Sequence, residues 1–228
     1  YNAEKTLKQS EERFNLAMEA GKDGIWDWNI KTDEVYYSPG YTAMLGYSAR
    51  EVPNQLDFWA THIHPDDKAM AITANKDCIK NRCDSFEVKY RMLTKHRDWR
   101  WILGRGKVVD RDGNGRALRL VGTHTDITQW KHAEELSRES QQEIESIFRS
   151  APAGIGVVSD RIITKINDRV EEITGYSQEE LIGQSTRLLY PSDEDFNYVG
   201  QEKYEQIDLH GTGTVETRWK RKDGAVID

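Results

Sequence analysis

The feature that most constrains this chain is a repeat. Ala20-Gly21-Lys22-Asp23-Gly24-Ile25 returns loosely as Ala151-Pro152-Ala153-Gly154-Ile155, and Met44-Leu45-Gly46-Tyr47-Ser48 returns as Ile173-Thr174-Gly175-Tyr176-Ser177. Pro65-Asp66-Asp67 is answered by Pro191-Ser192-Asp193, and Val88 to Lys95 by Val215 to Lys222. Four matches in one order mean two copies of one domain. A chain of 228 residues accommodates two such copies of about 110 residues each, within the usual range of domain sizes. Seven Trp, ten Tyr and five Phe supply the cores. No apolar run approaches the ~18–20 residues of a membrane span and no signal peptide opens the sequence, so the expectation is a soluble, folded protein without a span. A chain that begins at Tyr1 without Met reads as a piece of something longer.

The first copy switches period along its length. Gly24 to Asn29 alternates, with Trp26 and Trp28 on one face, and Thr32-Asp33-Glu34 turns into a second strand, Val35 to Ser38. Pro39 to Leu45 predicts a short helix that Gly46 stops. Asp66 to Arg82 predicts a longer helix through Met70, Ala71, Ala74, Cys78 and Ile79, with the Asp pair suited to its N-terminal dipole. Phe86 to Met92, Trp99 to Leu103 and Leu118 to Leu120 then alternate as three strands. Two strands, helices and three more strands define an α+β fold on an antiparallel sheet. The second copy repeats the plan through Gly154 to Ser159, Ile162 to Asn167 and Val215 to Arg221, and is expected to lack its last strands because the sequence stops at Asp228. Cys78 and Cys83, five apart in a segment read as helix, are placed too far around the cylinder to bridge easily, which suits a reducing cytoplasm.

Gly24-Ile25-Trp26-Asp27-Trp28, Leu45-Gly46-Tyr47-Ser48, Ile63-His64-Pro65-Asp66-Asp67 and Gly122-Thr123-His124-Thr125-Asp126-Ile127-Thr128, in that order, resemble the successive signatures of PAS sensor domains. The last run, followed by Lys131 and Glu134, resembles a PAS terminus entering a signalling helix. The resemblance implies two PAS folds, each a five-stranded antiparallel sheet with helices on one face. The implied boundaries are a capping helix at 1–19, a first PAS domain at 20–128, a signalling helix at 129–149 and an incomplete second PAS domain at 150–228. One departure concerns the hairpin before the fourth strand, which carries Lys222-Asp223-Gly224 in the second copy but Lys95-His96-Arg97-Asp98 in the first. The first turn must therefore avoid a positive φ at Arg97 or be strained there.

No catalytic signature is present: there is no phosphate loop, no Gly-x-Ser-x-Gly elbow, and no histidine-kinase or cyclase motif. Asp66, Asp67, Asp110, Asp112, Glu134 and Glu135 fall where capping or solvation explains them, and this segment is expected to be no enzyme. His62 and His64 could ligate a metal from an extended segment, but no third ligand supports them and a structural role is preferred. Haem-binding PAS domains commonly use a His on the long helix, and Asp66 to Arg82 has none. Flavin photoreceptor PAS domains use an Asn-Cys-Arg-Phe-Leu-Gln motif that Asn81-Arg82-Cys83-Asp84 does not match, so both cofactors are disfavoured. A net charge of −7 without a basic stripe argues against nucleic acid.

What remains is the cavity between sheet and helices, where PAS domains hold small ligands. Alternation and resemblance place Trp26, Trp28, Val35, Tyr37, Tyr90, Trp99, Trp101, Leu120 and His124 on the inward face. Large rings fill space, and they either fill it completely or leave a small-molecule pocket with His124 and indole N–H groups as its polar contacts. The second copy offers Gly156, Val158, Thr164, Ile166, Thr217 and Trp219, whose smaller members leave more room for a small organic ligand. Trp130, Ala133, Leu136, Ser140, Ile144 and Ile147 follow a heptad-like seam that would pair two chains into a homodimer, or pack as a connecting helix. Leu7, Phe14 and Met18 predict a similar N-terminal helix. The functional expectation is a cytoplasmic sensory region relaying ligand or partner binding through helical linkers to a downstream effector of the same chain. That effector is expected to be a histidine kinase. The alternatives are a diguanylate cyclase and a ligand-free dimerisation scaffold.

Overall fold

A computed structural model describes residues 9, 12, 13, 16 and 21–228. The expected N-terminal helix through Leu7, Phe14 and Met18 lies outside the described residues. The chain divides into two compact units, Tyr1–Glu135 and Leu136–Asp228.

In the first unit, β1 (Gly24–Asn29), β2 (Glu34–Tyr37), β3 (Ser85–Leu93), β4 (Trp99–Arg111) and β5 (Ala117–Asp126) form one antiparallel sheet of order β2-β1-β5-β4-β3. Helices α1 (Pro39–Met44), α2 (Leu56–His62) and α3 (Pro65–Ile79) lie between β2 and β3 in the chain. The starts of α1 and α3 are legible in local chemistry. Ser38 caps α1, its hydroxyl accepting from Tyr41 N while Pro39 supplies a preset φ. His64 caps α3 in the same way, with Pro65 following. Asp67 in the first turn of α3 then takes the Arg91 guanidinium through Nε at 2.8 Å and Nη2 at 2.9 Å, plus the Arg91 backbone N–H at 2.9 Å. That clamp fastens α3 to β3, and its hydrogen bonds from Arg91 hold the Asp67 carboxyl below the usual carboxylate range.

The sheet's inner face is set by register. Trp26 stands in a row with Gly122, Gly106 and Phe86, and Gly24 in a row with His124, Gly104 and Val88. The glycines are what let the rings lie flat. A Cβ at Gly104 would stand 2.8 Å from the Tyr90 ring, and one at Gly122 would collide with both the Trp26 indole and the Arg105 carbonyl. Tyr90 pairs with Ile102, so the inward residues of β4 are Ile102, Gly104, Gly106 and Val108. Trp99 and Trp101, expected inward, therefore face the other way. Trp99 is exposed, and Trp101 is half-buried on the outer face beneath the Arg91 guanidinium and the Lys131 ammonium, each 5.4 Å from its ring.

One further expectation is corrected, and one left between alternatives is decided. Cys78 and Cys83 form a disulfide with a Cα–Cα separation of 4.6 Å. The helix ends at Ile79, and Asn81 adopts a left-handed φ of 59°, which folds the chain back and returns Cys83 to the last helical turn. The pair therefore supplies no argument for a reducing compartment. Arg97 has φ 67°, so the first copy's turn takes the strained alternative, where Gly224 (φ 86°) serves in the second.

Helix α4 (Thr128–Ser150) leaves β5, with Thr128 Oγ1 accepting from Trp101 N. Trp130, Leu136, Ile144 and Ile147 on it are all exposed. Among the described residues no helix is long and apolar enough to cross a membrane.

The second unit pairs its strands as two hairpins, β6 (Gly156–Ser159) with β7 (Ile162–Ile166) and β8 (Trp219–Lys220) with β9 (Val226–Ile227). Between them lie α5 (Asp168–Thr174), α6 (Gln178–Leu181), a 3-10 turn (Thr186–Leu189) and α7 (Asp193–His210). The expected strand from Val215 to Arg221 shrinks to two residues. Asn167 organises the unit's start: its Oδ1 accepts from Ile155 N, and its Nδ2 donates to the carbonyls of Phe148 and Ala153. Ile163, Ile166, Val170, Leu181 and Leu189 form its core.

Candidate functional site

Each unit places a cavity between its strands and helices, and the two differ in kind. In the first, Trp26 and Trp28 on β1, Tyr37 on β2, Tyr90 on β3 and His124 on β5 converge as expected, joined by Tyr41 from α1 and Trp59 from α2. Their rings leave about 20 Å³, which is room for about one water, since a water occupies ~10–15 Å³ measured in this way.

The polar atoms here mostly satisfy one another. Trp59 Nε1 donates to Tyr90 Oη at 2.9 Å, and Tyr90 Oη lies 2.6 Å from His124 Nε2. An indole N–H can only donate, so the arrangement that satisfies all three has the Tyr90 hydroxyl donating to an unprotonated Nε2. Burial drives the His124 pKa down to about 3, so its ring is neutral. Burial pushes the Tyr90, Tyr37 and Tyr41 hydroxyls up for the same reason. Tyr37 donates to the Gln55 carbonyl and Trp28 Nε1 to Asp33. Among the described residues Trp26 Nε1 and Tyr41 Oη have no hydrogen-bond partner. Trp59 and Tyr41 sit on short helices whose apolar spacing the sequence reading left unused.

The second cavity encloses about 560 Å³, inside the ~300–1,000 Å³ range of small-molecule pockets. Of the second-copy residues picked out in the sequence, Gly156, Val158, Ile166 and Trp219 line it. Thr164 does not. A bulge between Val157 and Val158 pairs Val158 with Ile163, so Ile163 turns inward and Thr164 is exposed, donating to the Val157 carbonyl. Thr217 lies before β8 and borders a separate surface depression with Asp195 and Tyr198. Arg161, Lys203 and Tyr190 also line the cavity and were not anticipated. Asp160-Arg161 between two apolar runs was the available signal, because it forms the β6–β7 turn with both residues at positive φ.

The two histidines considered as ligands have other work. His62 Nδ1 lies 2.7 Å from the Phe58 carbonyl and Nε2 3.2 Å from Tyr47 Oη, while His64 caps α3. Among the described residues no group of three or more His, Cys, Asp or Glu side chains is arranged to hold a metal.

Comparison with known proteins matches this geometry. Residues 34–124 match one family model described as PAS fold and residues 142–228 match a second. The chain belongs to the PAS-fold family and carries two PAS domains in tandem. It is similar to sensor protein FixL of Bradyrhizobium diazoefficiens, 28% identical over 222 residues that cover 95% of this chain and 43% of that protein. It is also similar to the probable diguanylate cyclase DgcE of Escherichia coli, 26% identical over 183 residues covering 79% of this chain and 16% of that protein. A solved sensory box histidine kinase/response regulator structure from Burkholderia thailandensis superposes with a TM-score of 0.52 at 36% identity, over 59% of this chain and 98% of that one. The chain spans less than half the length of these curated relatives. It is a sensory region homologous to parts of multidomain signalling proteins.

Proposed function

We propose that this chain senses a small, partly apolar molecule in its second PAS unit and passes the result to an effector of the same polypeptide, a histidine kinase, through helical linkers. The observation that carries the reading is the chemistry of the second unit's cavity, where Ile163, Ile166, Val170 and Val199 line the same space as the polar groups of Arg161 and Lys203. A diguanylate cyclase is the alternative effector, in keeping with the two classes of relative. The lining of the second cavity contains no His, Cys or Met, which supports a reading without His-, Cys- or Met-ligated haem and without a cysteinyl flavin. The first interior has a neutral His124 already engaged by Tyr90 and no room for a macrocycle. We assign no catalytic residue and no metal ligand.

A homodimer through α4 belongs to the same proposal, supported by the exposed Trp130, Leu136, Ile144 and Ile147. A cytoplasmic setting belongs to it too, because such effectors consume nucleoside triphosphates.

The test is a thermal-shift screen of the chain against small metabolites, repeated on Gly156→Trp. A Cβ at Gly156 meets only ordinary contacts, so a large side chain can enter the cavity without disturbing the backbone. Ligands should raise the Tm of the native chain, since stabilisation grows as RT ln(1 + [L]/Kd), and leave the variant unchanged. Hits that persist in Gly156→Trp, or no hits at all, would overturn the assignment of the pocket.

A further inference from the structure

The lining of the second cavity carries two cations, Arg161 and Lys203, that among the described residues are not ion-paired with a carboxylate. Arg161 stands in the β6–β7 turn at φ 64°, beside Asp160 at φ 50°. Its guanidinium stacks on the Phe196 ring, 3.4 Å from the centroid, and Nη2 donates to the Phe196 carbonyl. It is seated over Gly200 of α7, where a Cβ would stand 2.7 Å from Nη2 and 2.8 Å from Cζ, so the absence of a side chain at 200 is what admits it. Lys203, one turn along α7, lines the same cavity.

Among the described residues neither Arg161 nor Lys203 is ion-paired with a carboxylate. Asp195 in the first turn of α7 is paired with Arg218. Most of the remaining wall is apolar, including Ile163, Ile166, Val170, Leu189 and Val199. A half-buried guanidinium held against an apolar wall without a counter-ion is costly. A turn with two non-glycine residues at positive φ adds to that cost. Among the described residues one of the five guanidinium N–H donors is used, to the Phe196 carbonyl, leaving the fork geometry that donates two parallel hydrogen bonds to a planar anion.

We propose that this cavity binds an amphipathic carboxylate. The carboxylate sits at the mouth between Arg161 and Lys203, and its apolar body extends toward Ile166 and Val170. The proposal rests on the pocket reading above and names the ligand's class. The Tyr190 hydroxyl, also in the lining, is a further donor available to the head group. A carboxylate fits better than a phosphate because the mouth offers one fork and one ammonium and no run of backbone N–H groups.

The experiment uses the whole chain and matched pairs of probes, octanoate with octanamide and phenylpropionate with phenylpropionamide, by calorimetry at low and moderate salt. Each acid should bind at least tenfold more tightly than its amide, with an advantage that shrinks as salt rises. Arg161→Met should weaken the acids about tenfold or more and leave the amides unchanged. Lys203→Gln, an exposed position, gives a smaller loss of the same sign and stands in if Arg161→Met fails to fold. Amides binding as well as acids, or acids indifferent to both substitutions, would overturn the anion assignment and leave the pocket intact. If acids and amides alike fail to bind, the carboxylate proposal is overturned, and the screen with Gly156→Trp decides separately whether the pocket reading falls too.

Discussion

Lowering the pH should unfold the first unit by a route that its own interior dictates. His124 is buried and its folded pKa is driven from 6.5 down to about 3 by desolvation. The unfolded chain therefore binds a proton that the folded chain refuses throughout that window. The sign follows: the contribution is fully present above about pH 6.5 and is lost as pH falls through the unfolded value, levelling off near the folded one. At about 1.4 kcal/mol per pH unit, His124 alone should cost about 2 kcal/mol between pH 7.5 and pH 5. Urea melts read by tryptophan emission isolate this unit, because Trp26, Trp28, Trp59, Trp99, Trp101 and Trp130 belong to it and only Trp219 to the other. The comparison is with His124→Gln, which does not titrate there. The variant is less stable at pH 7.5, because Tyr90 loses its partner, but its stability should fall less steeply with acid by about that amount. Parallel pH curves for the two proteins would show that His124 is solvated or already charged in the folded state, and the hydrogen-bonded chain from Trp59 to His124 would have to be redrawn.

Other outcomes follow from single positions. Ile102→Ala should cost about 2–5 kcal/mol and Trp101→Ala only about 1–1.5, since Ile102 is fully buried and Trp101 is a half-buried platform for two cations; equal costs in urea melts would reverse the face of β4. Arg97→Gly should raise stability by about 0.5–1 kcal/mol by relieving a left-handed backbone, and a loss would mean the side chain has an unrecognised partner. A reductant, or Cys83→Ser, should lower the stability of the first unit by about 2 kcal/mol, the loop-closure value for so short a loop; alkylation of both thiols without prior reduction would refute the bridge.

Much of this was legible in sequence, and the failures have specific causes. The repeat and the change of period locate the elements, because a strand and a helix sort apolar residues differently. Alternation, however, gives a strand's period and not its sign. On β4 three consecutive residues, Ile102, Leu103 and Gly104, are buried, since the outer face is partly covered there, and the tryptophans drew the assignment to the wrong side. Glycine carried the missing information: Gly104 and Gly106, two apart on β4, and Gly122, paired with Gly106 on β5, mark where rings lie against bare backbone. Thr164 was misplaced by a bulge, which shifts parity by one residue without changing composition. The disulfide was missed because it depends on where a helix stops, and that is decided by the left-handed Asn81 rather than by the helix's apolar spacing.

The sequence bears on cavity size only through side-chain size at matching positions, and the two interiors also differ in a way that their polar groups make intelligible. In the first unit the buried donors and acceptors are mostly spent on each other, from Trp59 through Tyr90 to His124, and from Trp28 to Asp33. Only Trp26 Nε1 and Tyr41 Oη remain, beside a space that admits one water. An interior closed in this way gains little from a guest, because a guest would have to break bonds already made. In the second unit the wall is apolar, and the groups with unspent bonding capacity, Arg161 and Lys203, are cationic and stand at the mouth. Binding there satisfies donors that the fold alone leaves unmatched, so its free energy depends directly on occupancy. The closed unit stands immediately before α4 and fastens it through Thr128, while the open unit follows it. That order fits the proposal that sensing resides in the second domain, and that the first serves as a rigid base from which the helix is held.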